Sequence, residues 1–183
     1  MNKEVWRHWR QKSSLTSGTK VNRPSNRLDE PTMTLDRRNG DGTALSSGER
    51  LYLEAGRVGR LATVSATGTP QVTPICYVFL NNCVYTRVER DTQKLKNIQK
   101  NPCVAMVIDD YNEDWSRIKA LIIWGKASVL ESGEEYRLAR DALLQKYSQY
   151  KTSNPIVEGQ IPVLKVDIAR KISWDYGKSK SWD

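Results

Sequence analysis

Four cations crowd one short stretch of this chain. In Tyr85-Thr-Arg-Val-Glu-Arg-Asp-Thr-Gln-Lys-Leu-Lys-Asn97, Arg87 and Arg90 precede a segment with helical spacing, and Lys94 and Lys96 fall in its first turns. The dipole of a helix disfavours cations at its N-terminus, by up to about 1 kcal/mol each near the surface. Glu89 and Asp91 offset that cost only in part. A bound anion would make sense of the cluster, because a phosphate takes free first-turn N–H groups together with basic side chains. An exposed helix with hydrated charges fits the same pattern, and the charges alone do not separate the two.

Other chemistries find little support. The only histidine, His8, lies near the N-terminus, away from any strand-like run, so no Ser-His or Cys-His pair and no His-rich metal site can be assembled in the folded part. Cys76, Cys83 and Cys103 are odd in number and lack CxxC spacing, which argues against a disulfide framework or zinc. They read as small buried hydrophobes. The acidic run Asp109–Asp114 lacks the alternating ligands and glycine of a calcium loop and reads as a solvated turn, with Glu113 or Asp114 pairing with Arg117 or with a partner subunit.

The elements that must hold the cluster can be read in order. At 183 residues there is room for one domain with a substantial core. Residues 1–45 are polar, without periodicity, and read as a disordered basic tail with a short helix near Glu4–Gln11. Residues 46–183 carry the folding signals. Ser46 and Glu49 have capping-box spacing ahead of a short helix that Gly56 ends. Strands follow at Arg60–Ser65, Gln71–Leu80 and Cys83–Val88, expected as a three-stranded meander. A helix from Asp91 to Lys100, capped by Asp91 or Thr92, leads to a strand at Cys103–Ile108 and a long strand at about Ile118–Leu130 with a bulge or bend at Gly125. Glu134–Tyr147 is the strongest helical pattern, and strands at Ile161–Ile168 and Ile172–Trp174 close the chain. Cys103–Ile108 and Leu121–Trp124 are apolar on both faces, so the fold class expected is mainly β (α+β), a small barrel whose outer face a helix or partner subunit covers.

From about Glu49 to Trp174 the chain resembles the pyridoxamine-5′-phosphate-oxidase-like split β-barrel proteins. The resemblance is carried by Arg60-Leu-Ala-Thr-Val64 with Gly68-x-Pro70 and Thr73-Pro74, by Tyr85-Thr86, and by Lys94-x-Lys96-Asn97-Ile98 with Asn101-Pro102-x-Val104. Asp109-Asp-Tyr-x-Glu-Asp-Trp-Ser-Arg117 and Gly125-x-Ala127-x-Val129 look most like the probable deazaflavin (coenzyme F420)-dependent subgroup. The resemblance implies a homodimeric, FMN-binding-like split barrel with F420, or alternatively FMN, in a groove between subunits. It places Lys94 at the cofactor phosphate, with Lys96 and Asn97 nearby, and the Leu61–Ser65 strand and Thr73–Ile75 along the ring system. Candidate cofactor residues are then Leu61, Ala62, Thr63, Val64, Thr73, Pro74, Ile75, Arg87, Thr92, Lys94, Lys96 and Asn97. The C-terminal Lys171–Gly177 lacks the histidine on which the vitamin B6 oxidases rely, which argues against pyridoxamine phosphate oxidation.

A flavin-type cofactor carries the hydride chemistry itself, so no catalytic constellation is required of the chain. The expected function is an oxidoreductase passing hydride to a small organic substrate, walled by Tyr111, Trp115 or Trp124, with Tyr111 or water as proton source. A non-catalytic flavin or haem binder is the first alternative. A nucleic-acid or anionic-surface binder using the basic tail is the second: net charge is +8, but no nucleic-acid motif accompanies it. No run suggests a membrane span or secretory signal, which implies a cytoplasmic protein.

Overall fold

The structure, a computed structural model, describes residues 44–177; the expectations for the N-terminal tail fall outside these residues, apart from Ala44 and Leu45. Leu45 already packs into the core. Helix α1 (Ser47–Ala55) begins with the expected capping box: Glu49 N–H donates to Ser46 Oγ, and Ser46 N–H donates to Glu49 Oε2. The Glu49 carboxylate also receives Lys171 Nζ at 2.5 and 2.6 Å and the Ser173 hydroxyl, so one side chain both starts a helix and ties it to the last strand. Gly56 follows α1 as its C-cap, its N–H donating to the Tyr52 carbonyl, and glycine is needed there because a Cβ would lie 2.3 Å from the Tyr77 hydroxyl.

Seven antiparallel strands form one sheet: β1 (Val58–Val64), β2 (Pro70–Cys76), β3 (Val78–Leu80), β4 (Cys83–Arg87), β5 (Cys103–Asp110), β6 (Lys119–Leu130) and β7 (Val163–Asp175). Their spatial order is β2-β1-β5-β6-β7-β4-β3. This replaces the expected meander. The run Gln71–Leu80 is not one strand but breaks at Tyr77, whose N–H donates to Tyr147 Oη (3.0 Å) and whose C=O accepts from the same hydroxyl (2.7 Å). With its backbone groups held by a side chain, Tyr77 leaves the ladder, and the halves β2 and β3 sit at opposite edges of the sheet. Consecutive strands at opposite edges require the sheet to curl until its edges meet, which is the split barrel.

Helix α2 (Gln93–Lys100) joins β4 to β5, and α3 (Glu134–Lys146) with the short α4 (Gln149–Thr152) joins β6 to β7. The two expected C-terminal strands are one, β7, interrupted by a bulge: Trp124 pairs with Arg170 and Gly125 with Ile168, leaving Ala169 as the extra residue. The irregularity expected at Gly125 thus sits on its partner strand. Glycine is needed there because a Cβ would lie 2.1 Å from the Asp167 carbonyl oxygen.

The main core fills the curl with Leu53, Leu61, Ile75, Leu95, Met106, Ile123 and Leu164. A second cluster packs Tyr136, Ala139 and Leu143 of α3, with Tyr147 just after it, against Val78, Tyr85 and Val163, while Leu138 is exposed. The cysteines differ from expectation: Cys76 and Cys83 are half-buried and Cys103, at the first position of β5, is exposed. Their apolar neighbours in sequence alternate across the strand, so an apolar run does not by itself bury every member. Among the described residues no helix is long and apolar enough to cross a membrane.

Candidate functional site

The place where the curled sheet closes is also where the cations gather. Thr86 Oγ1 at the end of β4 donates to the Cys76 carbonyl at the end of β2 (2.7 Å), joining two strands far apart in sheet order. Helix α2 is laid across this region by its apolar Leu95 and Ile98, both buried, and by Asn97. Buried Asn97 donates through Nδ2 to Thr63 Oγ1 (3.0 Å) and Gln71 Oε1 (3.4 Å), and its Oδ1 accepts from Gln93 Nε2 (2.8 Å). A buried amide with these bonds fixes both the position and the roll of the helix. Lys94, one turn before Asn97, is thereby held half-buried.

Electrostatically the region is under-compensated. Burial, and then the nearby Arg87 guanidinium, hold Lys94 below the usual lysine range, with Glu89 offsetting part of this. Among the described residues Lys94 makes no hydrogen bond or ion pair. Arg87 Nη2 pairs with Glu89 at 2.5 Å, but its Nε is buried without a partner. Thr73 Oγ1 on β2 is likewise buried and unpartnered. Native structures leave few such groups, because each costs about 1–3 kcal/mol in lost hydration. Thr92 precedes α2 as N-cap, but its hydroxyl donates to Glu89 O (2.8 Å) rather than accepting from the first turn. A guanidinium Nε–H, an ammonium and an uncapped helix start bring donors without acceptors to the start of α2, which suits an oxyanion, and the Thr73 hydroxyl on β2 is a further unused donor.

The remaining sequence candidates divide by strand alternation. Register places Thr73 opposite Leu61 and Gln71 opposite Thr63, on the core-facing side of β1 and β2; there Leu61 and Ile75 are wholly within the core. Ala62, Val64 and Pro74 point to the other face. Lys96 is exposed on α2. Arg90 is not available to an anion: it binds Glu131 with Nη1 (3.1 Å) and Nη2, and the Gln160 and Gly159 carbonyls at 2.7 and 3.0 Å. Trp124 lies mid-sheet beneath the Arg170 guanidinium, 4.1 Å from the ring centre. Exposed Tyr111 and Trp115 belong to the β5–β6 connection, where Tyr111 Oη donates to Glu113 Oε2 (3.2 Å) and Asp114 accepts from Ser116 N–H (3.1 Å). The carboxylates of this turn thus cap it.

Sequence reasoning overlooked a cleft of about 440 Å³ beside the closure, lined by Arg57, Val58, Cys76, Arg87, Tyr147, Gln149, Tyr150 and Asn154. Tyr147 and Tyr150, three apart at the end of a helical pattern, were the available signal; Arg57 had none, since only the fold brings it there.

Comparison with known proteins adds to this geometry. The family model for pyridoxamine 5′-phosphate oxidase matches residues 50–175. A 5a,11a-dehydrotetracycline/5a,11a-dehydrooxytetracycline reductase from Streptomyces rimosus subsp. rimosus is 35% identical over 94 residues, 49% of this chain and 66% of that protein. The match thus spans just under two thirds of the relative. Among solved structures, a conserved hypothetical protein from Mycobacterium tuberculosis superposes with a TM-score of 0.63 at 18% identity, over 77% of this chain and 91% of that one. An F420 reductase superposes with a TM-score of 0.57 at 23% identity, over 70% and 98%. A haem storage protein from Vibrio cholerae gives 0.59 at 15% identity, over 67% and 89%. These structural likenesses establish the fold.

Proposed function

The chain belongs to the pyridoxamine 5′-phosphate oxidase family, and from that premise we propose that it is a cytoplasmic, homodimeric oxidoreductase using reduced coenzyme F420, with FMN as the alternative cofactor. One observation carries the reading: Arg87 Nε, buried without a partner, lies beside half-buried Lys94, and the Thr73 hydroxyl on β2 is likewise buried and unpartnered. Those donors fit the phosphate of such a cofactor.

In this reading Lys94, Arg87 and Thr73 hold the phosphate, and Asn97 keeps α2 in place by its bonds to Thr63 and Gln71. The closely packed Leu61 and Ile75 beneath β1 and β2 make an unyielding floor, so the bound rings are positioned by backbone and outward-facing side chains rather than by core rearrangement. When bound, the cofactor supplies hydride to an unsaturated carbon of a small organic substrate. Tyr111 or water then gives the proton that completes the reduction. The choice of F420 is supported by the Asp109–Arg117 and Gly125–Val129 segments and by the F420 reductase of the same fold, while the relative named for reducing dehydrotetracyclines supports reduction.

The test is parallel titration of the protein with FMN and with F420, followed by fluorescence, beside Lys94→Ala. Binding of one cofactor that falls about tenfold or more in the variant, roughly the 1.5–3 kcal/mol of a hydrogen bond to a charged group, supports the site. Binding of neither removes the oxidoreductase reading. The haem storage protein of the same fold favours haem as the second ligand to titrate, with the Soret band as readout.

A further inference from the structure

The cleft beside the phosphate donors carries a charge pattern of its own. Two guanidiniums, Arg57 and Arg87, line it, and each lies over a tyrosine ring: Arg57 is 4.9 Å from the Tyr147 centre and Arg87 5.9 Å from that of Tyr150. Arg57 donates through Nη2 to the Lys146 carbonyl (2.8 Å) and has no carboxylate partner among the described residues. Lys146, its charge disfavoured first by burial and then by nearby Arg57, adds a third cation behind the wall. The carboxylate that does pair here, Glu89, is engaged by Arg87 Nη2.

The walls are rigid. Tyr147 Oη donates to the Arg57 and Tyr77 carbonyls at 2.6 and 2.7 Å and accepts from Tyr77 N–H, so it cannot turn into the cleft. Tyr150 packs edge-on against it, with centres 5.6 Å apart and an interplanar angle of 62°. The Tyr150 hydroxyl lies beside Cys76; burial first, then that thiol, push it up to about 12, so it remains a donor at neutral pH. Two like charges, a buried Nε–H without an acceptor and an aromatic wall therefore border one space.

We propose that this cleft is the substrate-acid subsite: it accepts a planar, conjugated organic acid, with the oxyanion between Arg57 and Arg87 and the conjugated system against Tyr150. The inference rests on the oxidoreductase reading for the word substrate, but the cleft's preference for acids is a property of its own residues. Cation–π contact holds each guanidinium over its ring, and its N–H groups can pair with a carboxylate, phenolate or enolate. A neutral ligand would leave Arg57 without a carboxylate partner and the buried Arg87 Nε–H without an acceptor. Conjugated acids are also suitable hydride acceptors, because an adjacent unsaturated bond is activated by its carbonyl.

The experiment is equilibrium binding to the full chain, without cofactor, of benzoate, cinnamate and 4-nitrobenzoate, each against its neutral amide, followed by intrinsic fluorescence. Arg57→Gln and Tyr150→Leu are measured alongside, with thermal melts to verify folding and with FMN and F420 titrations. The expected result is that at least one acid binds about tenfold or more tighter than its amide, that Arg57→Gln abolishes the difference, and that cofactor affinity is unchanged in Arg57→Gln. Tyr150→Leu, which removes the ring, should weaken acid and amide alike and so report the stacking wall if the arginine variant fails to fold. Acids and amides binding equally throughout, or an acid preference that survives Arg57→Gln, overturns the proposal. If acids are preferred while neither cofactor binds, the acid subsite stands and the cofactor reading alone fails.

Discussion

At the residue scale, Thr73 separates what the fold needs from what the ligand needs. Its Oγ1 is buried without a partner, so in the free protein the hydroxyl is a liability rather than a support. Valine has nearly the same shape and suits a strand, and it removes the stranded polar atom. Thr73→Val should therefore leave the cofactor-free protein equally stable or more stable by about 1 kcal/mol, read by urea denaturation. The same substitution should weaken cofactor binding roughly threefold to tenfold, since the lost donor contributes only when a phosphate is present. A variant that unfolds more easily yet binds cofactor unchanged would assign the hydroxyl to the fold. Asn97 offers the contrasting case: its amide is buried and bonded to Thr63, Gln71 and Gln93 in the free protein. Asn97→Leu should cost about 1–3 kcal/mol before any ligand is added, because Thr63 loses its donor inside the core.

At the element scale, the first turn of α1 is joined to β7 through Glu49, and the join is pH-dependent. Burial alone would raise the Glu49 carboxyl, but the bonds from Lys171, Ser173 and Ser46 outweigh it and hold the group below its ordinary 4.5. A carboxyl depressed in the folded state adds stability that is fully present above the unfolded value and is lost as pH falls through the folded one. Wild-type stability should thus decline as pH drops below about 5. Glu49→Gln should cost about 3 kcal/mol at pH 7 by leaving Lys171 without its anion, and the gap between the two proteins should close toward pH 3. Parallel denaturant curves at pH 7, 5, 4 and 3 would show it, and a constant gap would mean that the carboxylate's charge contributes nothing. This helix was legible in the sequence because the Ser46–Glu49 spacing is local, and so were α2, α3 and most strands. The Lys171 and Ser173 partners were not, being more than 120 residues away. The break at Tyr77 was equally hidden, since a single buried tyrosine hydroxyl from α3's end takes both of its backbone groups. Site legibility followed the same rule: Lys94 and Asn97 stood out within one helix, whereas Arg90 looked identical to Arg87 until Glu131 was seen to claim it.

At the scale of the whole molecule, one sheet has two faces; the main core fills one, and α3 covers the other only over β3, β4 and the start of β7. Register lines up Ala62, Ala105, Trp124 and Arg170 in one row of the other face, and Arg60, Val107, Ile122 and Ile172 in the next. A solvated face of an antiparallel sheet would carry polar residues at these positions. Here the centre is apolar and the two arginines stand at its margins, the arrangement of an interface with a dry middle and a charged rim. A second copy of the chain is the partner proposed, and it would also bring a second wall to the cofactor groove. Sedimentation velocity at micromolar concentration should then give about twice the 20.9 kDa chain mass. Ile122→Glu places a charge in the middle of the face, where an unpaired buried carboxylate costs several kcal/mol. It should therefore yield a monomer with unchanged circular dichroism, because Ile122 is not among the residues of the core. If the groove depends on both copies, that monomer should also bind cofactor more weakly than wild type while Lys94, Arg87 and Thr73 remain intact. A dimer that persists in Ile122→Glu would move the interface elsewhere, and a monomeric mutant with full cofactor affinity would place the entire binding site within one chain.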